Sequence, residues 1–257
     1  MSSIHFEIKD AIGFITLNRP DKLNSFNREM ALLMQDALDL CKDKKVRCVY
    51  ITGAGKAFSA GQDLAEAADP DGPGIKRILS EHYNPIVKRI RGLEKPVVAA
   101  INGVAAGAGA NMAFCCDIAV ATESASFIQA FSKIGLIPDT GGTFILPRLI
   151  GWQKASALMM MGDKISAAEA EKMGMLYKTF PDDKFNESAL QIATYLSKMP
   201  TKGLAYTKQV LSHSFSNHWE DQLQDEDVYQ QKAASTHDYK EGVKAFLEKR
   251  QPEFKGE

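Results

Sequence analysis

The sequence has little of what marks several large classes of protein. Its 31 lysines and arginines are balanced by 32 aspartates and glutamates, so it lacks the basic excess that nucleic-acid-binding surfaces need. Its four cysteines form no C-x-x-C pair, which speaks against a zinc site and favours reduced, buried thiols in the cytoplasm. We therefore expect a globular protein that acts on small molecules, with no bound metal and no nucleic-acid partner.

Signal and membrane-spanning patterns are scarce as well. The first ten residues lack both the basic region and the apolar stretch of a secretory signal, so we expect a cytoplasmic protein. The most apolar window covers residues 96–116, but Asn102 and Asn111 lie inside it and a turn at Gly103 divides it. These residues argue against a continuous membrane span, and we expect no membrane partner.

Nucleotide-binding glycine motifs are missing too. Residues 53–61 read GAGKAFSAG and form a glycine-punctuated loop. The loop contains neither the Gly-Lys-Ser/Thr of a phosphate-binding loop nor a G-x-G-x-x-G turn. We therefore expect the active site to be built from residues other than those of a nucleotide-binding glycine loop.

The middle of the chain carries the clearest functional pattern. A continuous β-prone run at 97–101 predicts a strand covered on both faces, and Asn102-Gly103 ends it. Glycines then precede a helical pattern at 110–116, so main-chain N–H groups should be free at the helix start, where negative charge is favoured. Asp139 follows, just before paired glycines. Together these features indicate a site that holds a carbonyl oxygen while a nearby carboxylate moves a proton.

The remaining patterns divide the chain into two regions. Residues 4–8 and 12–17 alternate like an antiparallel hairpin, and strand-strand-helix patterns follow, with a helix expected over 75–90. From about residue 183 onward every pattern is helical. We therefore expect an α/β protein with a core at residues 1–195 and a helical region at 196–257.

Five blocks in order carry a resemblance to a known family. They read NRPDKLNSF at 18–26, FSAGQDL at 58–64, AAINGVAAGAG at 99–109, IGLIPDTGG at 134–142 and AFLEKRQPEFKG at 245–256. On these blocks the sequence resembles the crotonase (enoyl-CoA hydratase/isomerase) superfamily along essentially its whole length. The resemblance implies a spiral of repeated ββα units and a C-terminal all-α trimerisation region, and therefore a homotrimer or homohexamer.

The resemblance also implies an acyl-CoA thioester as substrate, with coenzyme A as part of it and no separate cofactor. The thioester oxygen would lie between two main-chain N–H groups, which by position are those of Ala60 and Ala108. Other positions match residues that surround the substrate in the family. They are Lys22 near the phosphates, Asp63 and Leu64 near the adenine, Gly107, Asn111 and Phe131, and Phe246 and Lys249 at the site of a neighbouring subunit.

The family's acid and base positions indicate a proton shift rather than hydration. Hydratases of the family use two glutamates to add water, and the matching positions here are Asn111 and Phe131, neither of which exchanges a proton at neutral pH. Asp139 instead matches an acid of isomerase-type members. Local sequence alone leaves a second interpretation open, in which Asp139 only caps the helix after Gly141.

Within the family, the pattern is most similar to members that convert the ring epoxide of phenylacetyl-CoA to its oxepin form through a thioester enolate. A β,γ to α,β enoyl-CoA isomerase with the same residues is the main alternative. A hydratase, a dehalogenase and an RNA-binding homologue are less favoured. The dehalogenase would need a histidine and a tryptophan where the chain has Lys88 and Phe131, and RNA binding would need a lysine-rich stripe.

Overall fold

The computed structural model describes residues 2–257, in which ten strands and twelve α-helices form. The strands are Ile4–Lys9 (β1), Ile12–Leu17 (β2), Cys48–Gly53 (β3), Ala57–Ser59 (β4), Val97–Ile101 (β5), Val104–Ala106 (β6), Ile118–Thr122 (β7), Ser126–Ile128 (β8), Lys164–Ser166 (β9) and Lys178–Phe180 (β10). Two 3₁₀ turns, Pro20–Lys22 and Ala130–Ile134, and a π-helical segment, Ile78–Tyr83, lie between them.

The helices surround the strands and make up the C-terminal quarter. They are Arg28–Leu40 (α1), Leu64–Ala68 (α2), Gly74–Arg77 (α3), Asn84–Gly92 (α4), Ala108–Phe114 (α5), Gly142–Ile150 (α6), Trp152–Met161 (α7), Ala167–Met173 (α8), Phe185–Ser197 (α9), Thr201–His213 (α10), Trp219–Ala234 (α11) and His237–Glu248 (α12). Within residues 2–257, no helix combines the length and the apolar character that crossing a membrane would require.

The strands form two sheets. The larger has the order β1-β2-β3-β5-β7-β10 and the smaller has the order β4-β6-β8-β9. A strand of the larger sheet is followed by a short strand of the smaller sheet and then by a helix, as in β5, β6 and α5. Successive units place parallel strands side by side. This arrangement confirms the predicted α/β spiral of ββα units.

Burial explains why β5 lies near the centre of the larger sheet. All five of its residues are buried, as expected of a strand covered on both faces. One face of the sheet packs on α9, where Phe185, Ala189 and Ala193 join a cluster with Tyr50 and Val98. The boundary predicted between residues 195 and 196 falls inside α9. Because α9 packs on the sheet, we propose that the core ends with this helix.

Most predicted elements lie where their patterns indicate, with three corrections. The predicted loop at 53–61 contains β4, whose three residues are too few for a periodic pattern and become a strand by pairing with β6. The helix expected over 75–90 is interrupted by the π-helical segment. Helix α5 begins at Ala108 rather than at residue 110, because glycine and alanine carry no helical periodicity.

All four cysteines are buried as free thiols, as predicted. Burial raises the pKa of Cys41, Cys48 and Cys115 to about 12. Because the thiolate is the reactive form of cysteine, these buried thiols are expected to be inert at neutral pH.

A buried ion pair attaches the C-terminal helices to the core. The Nζ of Lys208 in α10 lies 2.8 Å from Asp117 Oδ2 and donates to the carbonyl oxygen of Ile90 at 2.7 Å. The Asp117 carboxylate also accepts the N–H of Val97 at the start of β5, at 2.8 Å. The Lys208 and Asp117 side chains are 6% and 18% exposed, and Arg91 Nη1 lies farther from the carboxylate, 3.6 Å from Asp117 Oδ1. The Lys208 ammonium therefore depends on the Asp117 carboxylate for compensation of its charge.

We expect Lys208→Met to lower the free energy of unfolding by about 2 kcal/mol, because it leaves the Asp117 carboxylate with only the more distant Arg91 guanidinium, at 3.6 Å, as its cationic partner. Urea unfolding followed by circular dichroism measures the loss. Lys202→Met is the matched control, since Lys202 is exposed in the same helix and surface changes usually stay within about 0.5 kcal/mol. An equal loss in both variants would contradict the role of the ion pair.

Candidate active site

A cavity of about 450 Å³ lies between the segment after β4, the helix before β5, the start of α5 and residues 130–141. Its apolar lining includes Leu64, Ile75, Leu79, Phe131, Ile134, Leu136 and Ile137. Among the described residues that line it, Asp139 alone carries a carboxylate. An apolar cavity with a few polar groups is typical of a small-molecule site. Among residues 2–257, no group of three His, Cys, Asp or Glu side chains could hold a metal ion.

The start of α5 offers a main-chain donor to this cavity. Gly107 precedes the helix with a φ of 50°, a left-handed value that glycine adopts readily. The N–H of Asn111 donates to Gly107 O at 3.1 Å and closes the first turn. Ala108 is the first helical residue, so its N–H has no intrahelical partner, and it finds none elsewhere in residues 2–257. Since Ala108 lines the cavity, this donor is available there.

The second predicted donor, Ala60, is wrong. Its N–H already donates to the carbonyl oxygen of Leu23, at 2.9 Å. A donor that is engaged in this way cannot also stabilise charge on a ligand. The family resemblance assigned this donor by position, and position alone could not reveal a partner from another segment of the chain.

Gln62 supplies the free donor of this segment instead. It forms a parallel bridge with Phe26, in which Phe26 N–H donates to Gly61 O at 2.7 Å and Asp63 N–H donates to Phe26 O at 2.8 Å. In such a bridge the N–H of the central residue faces away from its partner. The Gln62 N–H therefore has no partner within the described chain, and Gln62 lines the cavity. The free donors at the cavity are those of Gln62 and Ala108.

Gly61 allows the two donor segments to meet. Its φ is 88°, and a Cβ at this position would lie 2.8 Å from Ala106 O and 3.4 Å from Ala108 N. A side chain here would therefore collide with the backbone that leads into α5. The second residue after β4, Gly61, must therefore be glycine for the Gln62 segment to lie against the helix start.

The side chain of Gln62 is held at both ends. Tyr83 Oη donates to Gln62 Oε1 at 3.0 Å, and Gln62 Nε2 donates to Glu66 Oε2 at 3.1 Å. Tyr83 is fully buried, and burial, with the nearby negative charge of Asp139, raises its pKa. The phenol therefore remains a proton donor to Gln62. Sequence analysis missed both residues, because Tyr83 resembles any core aromatic and Gln62 any polar loop residue.

The Asp139 carboxylate does not cap α6. Its Oδ1 accepts a hydrogen bond from Thr140 Oγ1 at 2.6 Å, and α6 starts after Gly141 with no side-chain cap from the described residues. The capping interpretation is therefore wrong. Burial raises the pKa of Asp139, and the Thr140 hydrogen bond opposes only part of that shift. A carboxyl group whose pKa is raised toward neutrality is better suited to take up and return a proton.

Comparisons with known proteins agree with this geometry. The family model described as enoyl-CoA hydratase/isomerase matches residues 7–257. The chain belongs to this family. A 1,2-epoxyphenylacetyl-CoA isomerase of Escherichia coli (strain K12) is 44% identical over 260 residues, covering 100% of this chain and 99% of the relative.

Other members of the enoyl-CoA hydratase/isomerase family are named for different reactions. A trans-2-decenoyl-[acyl-carrier-protein] isomerase of Streptococcus mutans is 35% identical, covering 98% of both chains. A 2,3-dehydroadipyl-CoA hydratase of Escherichia coli is 35% identical, covering 100% of both. The solved structure of an enoyl-CoA hydratase from Bacillus anthracis has a TM-score of 0.94 and 33% identity, covering 99% of this chain and 100% of that one. The chain thus has the crotonase fold, and the reaction must be argued from its site.

The two positions that match hydratase glutamates have different surroundings. Phe131 is 7% exposed and forms part of the cavity wall. Asn111 is fully buried and is not part of the lining. Its Nδ2 donates to the main-chain oxygen of Asp139 at 2.9 Å, and its Oδ1 accepts from Gln129 Nε2 at 2.8 Å. The predicted contact between Asn111 and substrate is therefore wrong, because its amide is occupied on both sides.

Only some of the residues that were expected near the substrate line the cavity. Leu64 and Gly107 line the cavity. Asp63 does not, because its carboxylate pairs with Arg19 at 2.9 Å and caps α2. Lys22 is exposed in the 3₁₀ turn that follows β2. The roles of Lys22 and Asp63 toward coenzyme A stay predictions.

Phe246 and Lys249 lie at the end of α12, away from the lining of the cavity in their own chain. Phe246 is 82% exposed, which is unusual for a large aromatic side chain in an isolated subunit. Their predicted contact with the site of a neighbouring subunit stays a prediction.

We expect Asp139→Asn to stabilise the protein near neutral pH. Because burial raises the pKa of Asp139 in the folded chain, the folded chain holds this proton more tightly than the unfolded chain does. The stability of the parent therefore falls as pH rises from the unfolded-state pKa through the folded-state pKa. The asparagine in the variant does not ionise, so the variant lacks this loss of stability with rising pH.

Urea unfolding of parent and variant between about pH 4 and pH 8 tests this expectation, since the two stability curves should separate as pH rises. Asp163→Asn is the control, because Asp163 is exposed, and its curve should follow that of the parent. If the curves for Asp139→Asn and the parent run parallel, the pKa of Asp139 is not raised by folding, and the expectation is contradicted.

Proposed function

We propose that the protein is an acyl-CoA isomerase that shifts a proton through a thioester enolate. The observation that carries this proposal is that one apolar cavity contains a single half-buried carboxylate with a raised pKa and two free main-chain N–H groups. The isomerases among its relatives support the same reaction class.

In the proposed mechanism, the thioester oxygen lies between the N–H groups of Gln62 and Ala108. The ionised Asp139 takes a proton from the carbon next to the thioester, and the negative charge moves to the thioester oxygen. Each well-aimed donor then stabilises the transition state by roughly 3 kcal/mol. The protonated Asp139 returns the same proton to another carbon of the enolate, so the substrate and product are isomers.

The preferred substrate under this proposal is ring-1,2-epoxyphenylacetyl-CoA, which is converted to oxepin-CoA. That conversion moves a proton from the carbon next to the thioester into the ring system. The cavity wall at Phe131, Ile134 and Ile137 offers apolar surface to a ring. The 44%-identical relative is named for an isomerase of such an epoxide.

A β,γ to α,β enoyl-CoA isomerase is the second candidate. It would use the same three groups, and the Streptococcus mutans relative is named as an isomerase of an unsaturated acyl chain. Hydration is disfavoured, because the described cavity lining has no second carboxylate to activate a water molecule.

We also propose a homotrimer or a dimer of trimers in the cytoplasm, with no cofactor beyond the coenzyme A of the substrate. Large apolar side chains are exposed on the single chain, among them Trp152 at 74%, Met160 at 75% and Phe246 at 82%. Contact between subunits would remove this surface from water.

We expect Asp139→Asn to reduce the isomerase rate by about 10² to 10⁴, the range for loss of a positioned acid or base. Purified parent and variant are assayed side by side with epoxyphenylacetyl-CoA and a β,γ-enoyl-CoA. Mass spectrometry also follows exchange of the α-protons of phenylacetyl-CoA in deuterated water. Asp163→Asn should match the parent. If Asp139→Asn keeps both turnover and exchange, the proton-shift mechanism is refuted.

We expect Ala108→Pro to reduce turnover by about 10² to 10³, because it removes one N–H from the proposed oxyanion site. Proline fits the first position of a helix, so the variant should fold. Ala108→Gly retains the N–H and should lose far less activity. A thermal unfolding transition shows whether the variant is folded. Inhibition by free coenzyme A shows whether the variant still binds the coenzyme A part of the substrate. Full turnover in folded Ala108→Pro would exclude this donor.

A further inference from the structure

The first turn of α5 carries both a proposed oxyanion donor and a side chain that reaches the proposed acid. Ala108 begins the helix with its free N–H. Asn111, three residues later, donates from Nδ2 to the main-chain oxygen of Asp139 at 2.9 Å. Its own N–H donates to Gly107 O and closes the turn. A single helical turn therefore connects the donor to the segment that holds the carboxylate.

The turn after Asp139 is shaped to accept Asn111. A Cβ on Gly142 would lie 2.2 Å from Asn111 Nδ2, so no larger residue fits there while Asn111 keeps its place. Thr140 and Gly141 have φ values of 55° and 77°. A β-branched residue rarely adopts such a left-handed conformation, so neighbouring groups must hold it. Asn111 is one of those groups.

Two further contacts fix the orientation of the Asn111 amide and the position of the turn at Asp139. Gln129 Nε2 donates to Asn111 Oδ1 at 2.8 Å, so the amide nitrogen of Asn111 is left to face Asp139. Cys115, the residue that follows α5, donates from Sγ to Thr140 O at 3.4 Å. Helix α5 and its C-terminal cap thus contact two consecutive carbonyl groups, those of Asp139 and Thr140.

We infer that Asn111 is a positioning residue that sets the separation between the Ala108 N–H and the Asp139 carboxylate. This inference rests on the proposed proton shift. Asn111 lies outside the cavity lining, so it acts on the reacting atoms only through Asp139. A displacement of about 1 Å in a catalytic group can cost about 10² in rate, whereas the walls that bind the acyl-CoA would be unchanged.

Two substitutions test the role of Asn111. Asn111→Asp keeps the size of the side chain but replaces the donor with an oxygen that faces the Asp139 carbonyl. Asn111→Ala removes the amide without adding a carboxylate. For both we expect kcat to fall by about 10² and KM for the acyl-CoA to change by less than about threefold. If Asn111 only stabilised the fold, its substitution would lower the melting temperature. The kcat measured at temperatures where the variant is still folded would then equal that of the parent.

A milder variant and a control complete the experiment. Gln129→Met leaves Asn111 in place but frees its amide to rotate, so it tests the same contact if both Asn111 variants fail to fold. It should lower kcat to a lesser degree at unchanged KM. Asn217→Ala removes an amide that bonds Gln222 and Asp225 in the C-terminal helices, and it should keep the kcat and KM of the parent.

The outcomes separate this inference from the proposed function. An unchanged kcat in folded Asn111→Ala, or a raised KM with an unchanged kcat, overturns the positioning role. If both Asn111 variants unfold, an unchanged kcat in Gln129→Met overturns it. Full activity in Asp139→Asn, measured in parallel, overturns the proposed function. Loss of activity in Asp139→Asn with full activity in Asn111→Ala overturns only the positioning role.

Discussion

The unpaired N–H groups at the start of α5 are the constraint on which the site depends. A helix leaves its first N–H groups without intrahelical partners. The chain passes from the buried strand β5 through β6 into α5, and this path places Ala108 at the cavity. The Gln62 segment approaches this point because Gly61 has no side chain to collide with the backbone before α5. The turn at Asp139 is attached to the same helix through Asn111.

The apolar walls of the cavity have opposite effects on stability and on the proposed chemistry. Removal of water raises the pKa of Asp139, which disfavours the folded state wherever the carboxylate is ionised. The same removal of water strengthens the interaction of main-chain donors with developing charge. The buried ion pair between Lys208 and Asp117 lies outside this cavity and attaches the C-terminal helices instead.

Sequence patterns predicted much of the architecture because the signals were local. The β1-β2 hairpin and the buried run of β5 are both present. They depend on residues only a few positions apart. The strand β4 was missed because its existence depends on pairing with β6, which lies far along the chain.

The sequence by itself determined the fold family, the glycine-rich segment that leads into α5 and the single acid at Asp139, because motifs and residue types carry that information. Only the tertiary structure decided that Ala60 is engaged while Gln62 is free, that Asp139 does not cap α6, and that Asn111 holds the Asp139 turn rather than facing the cavity. The physical reason is the same in each case. Whether a polar group is free depends on the partner that folding brings to it, and those partners come from distant segments of the chain.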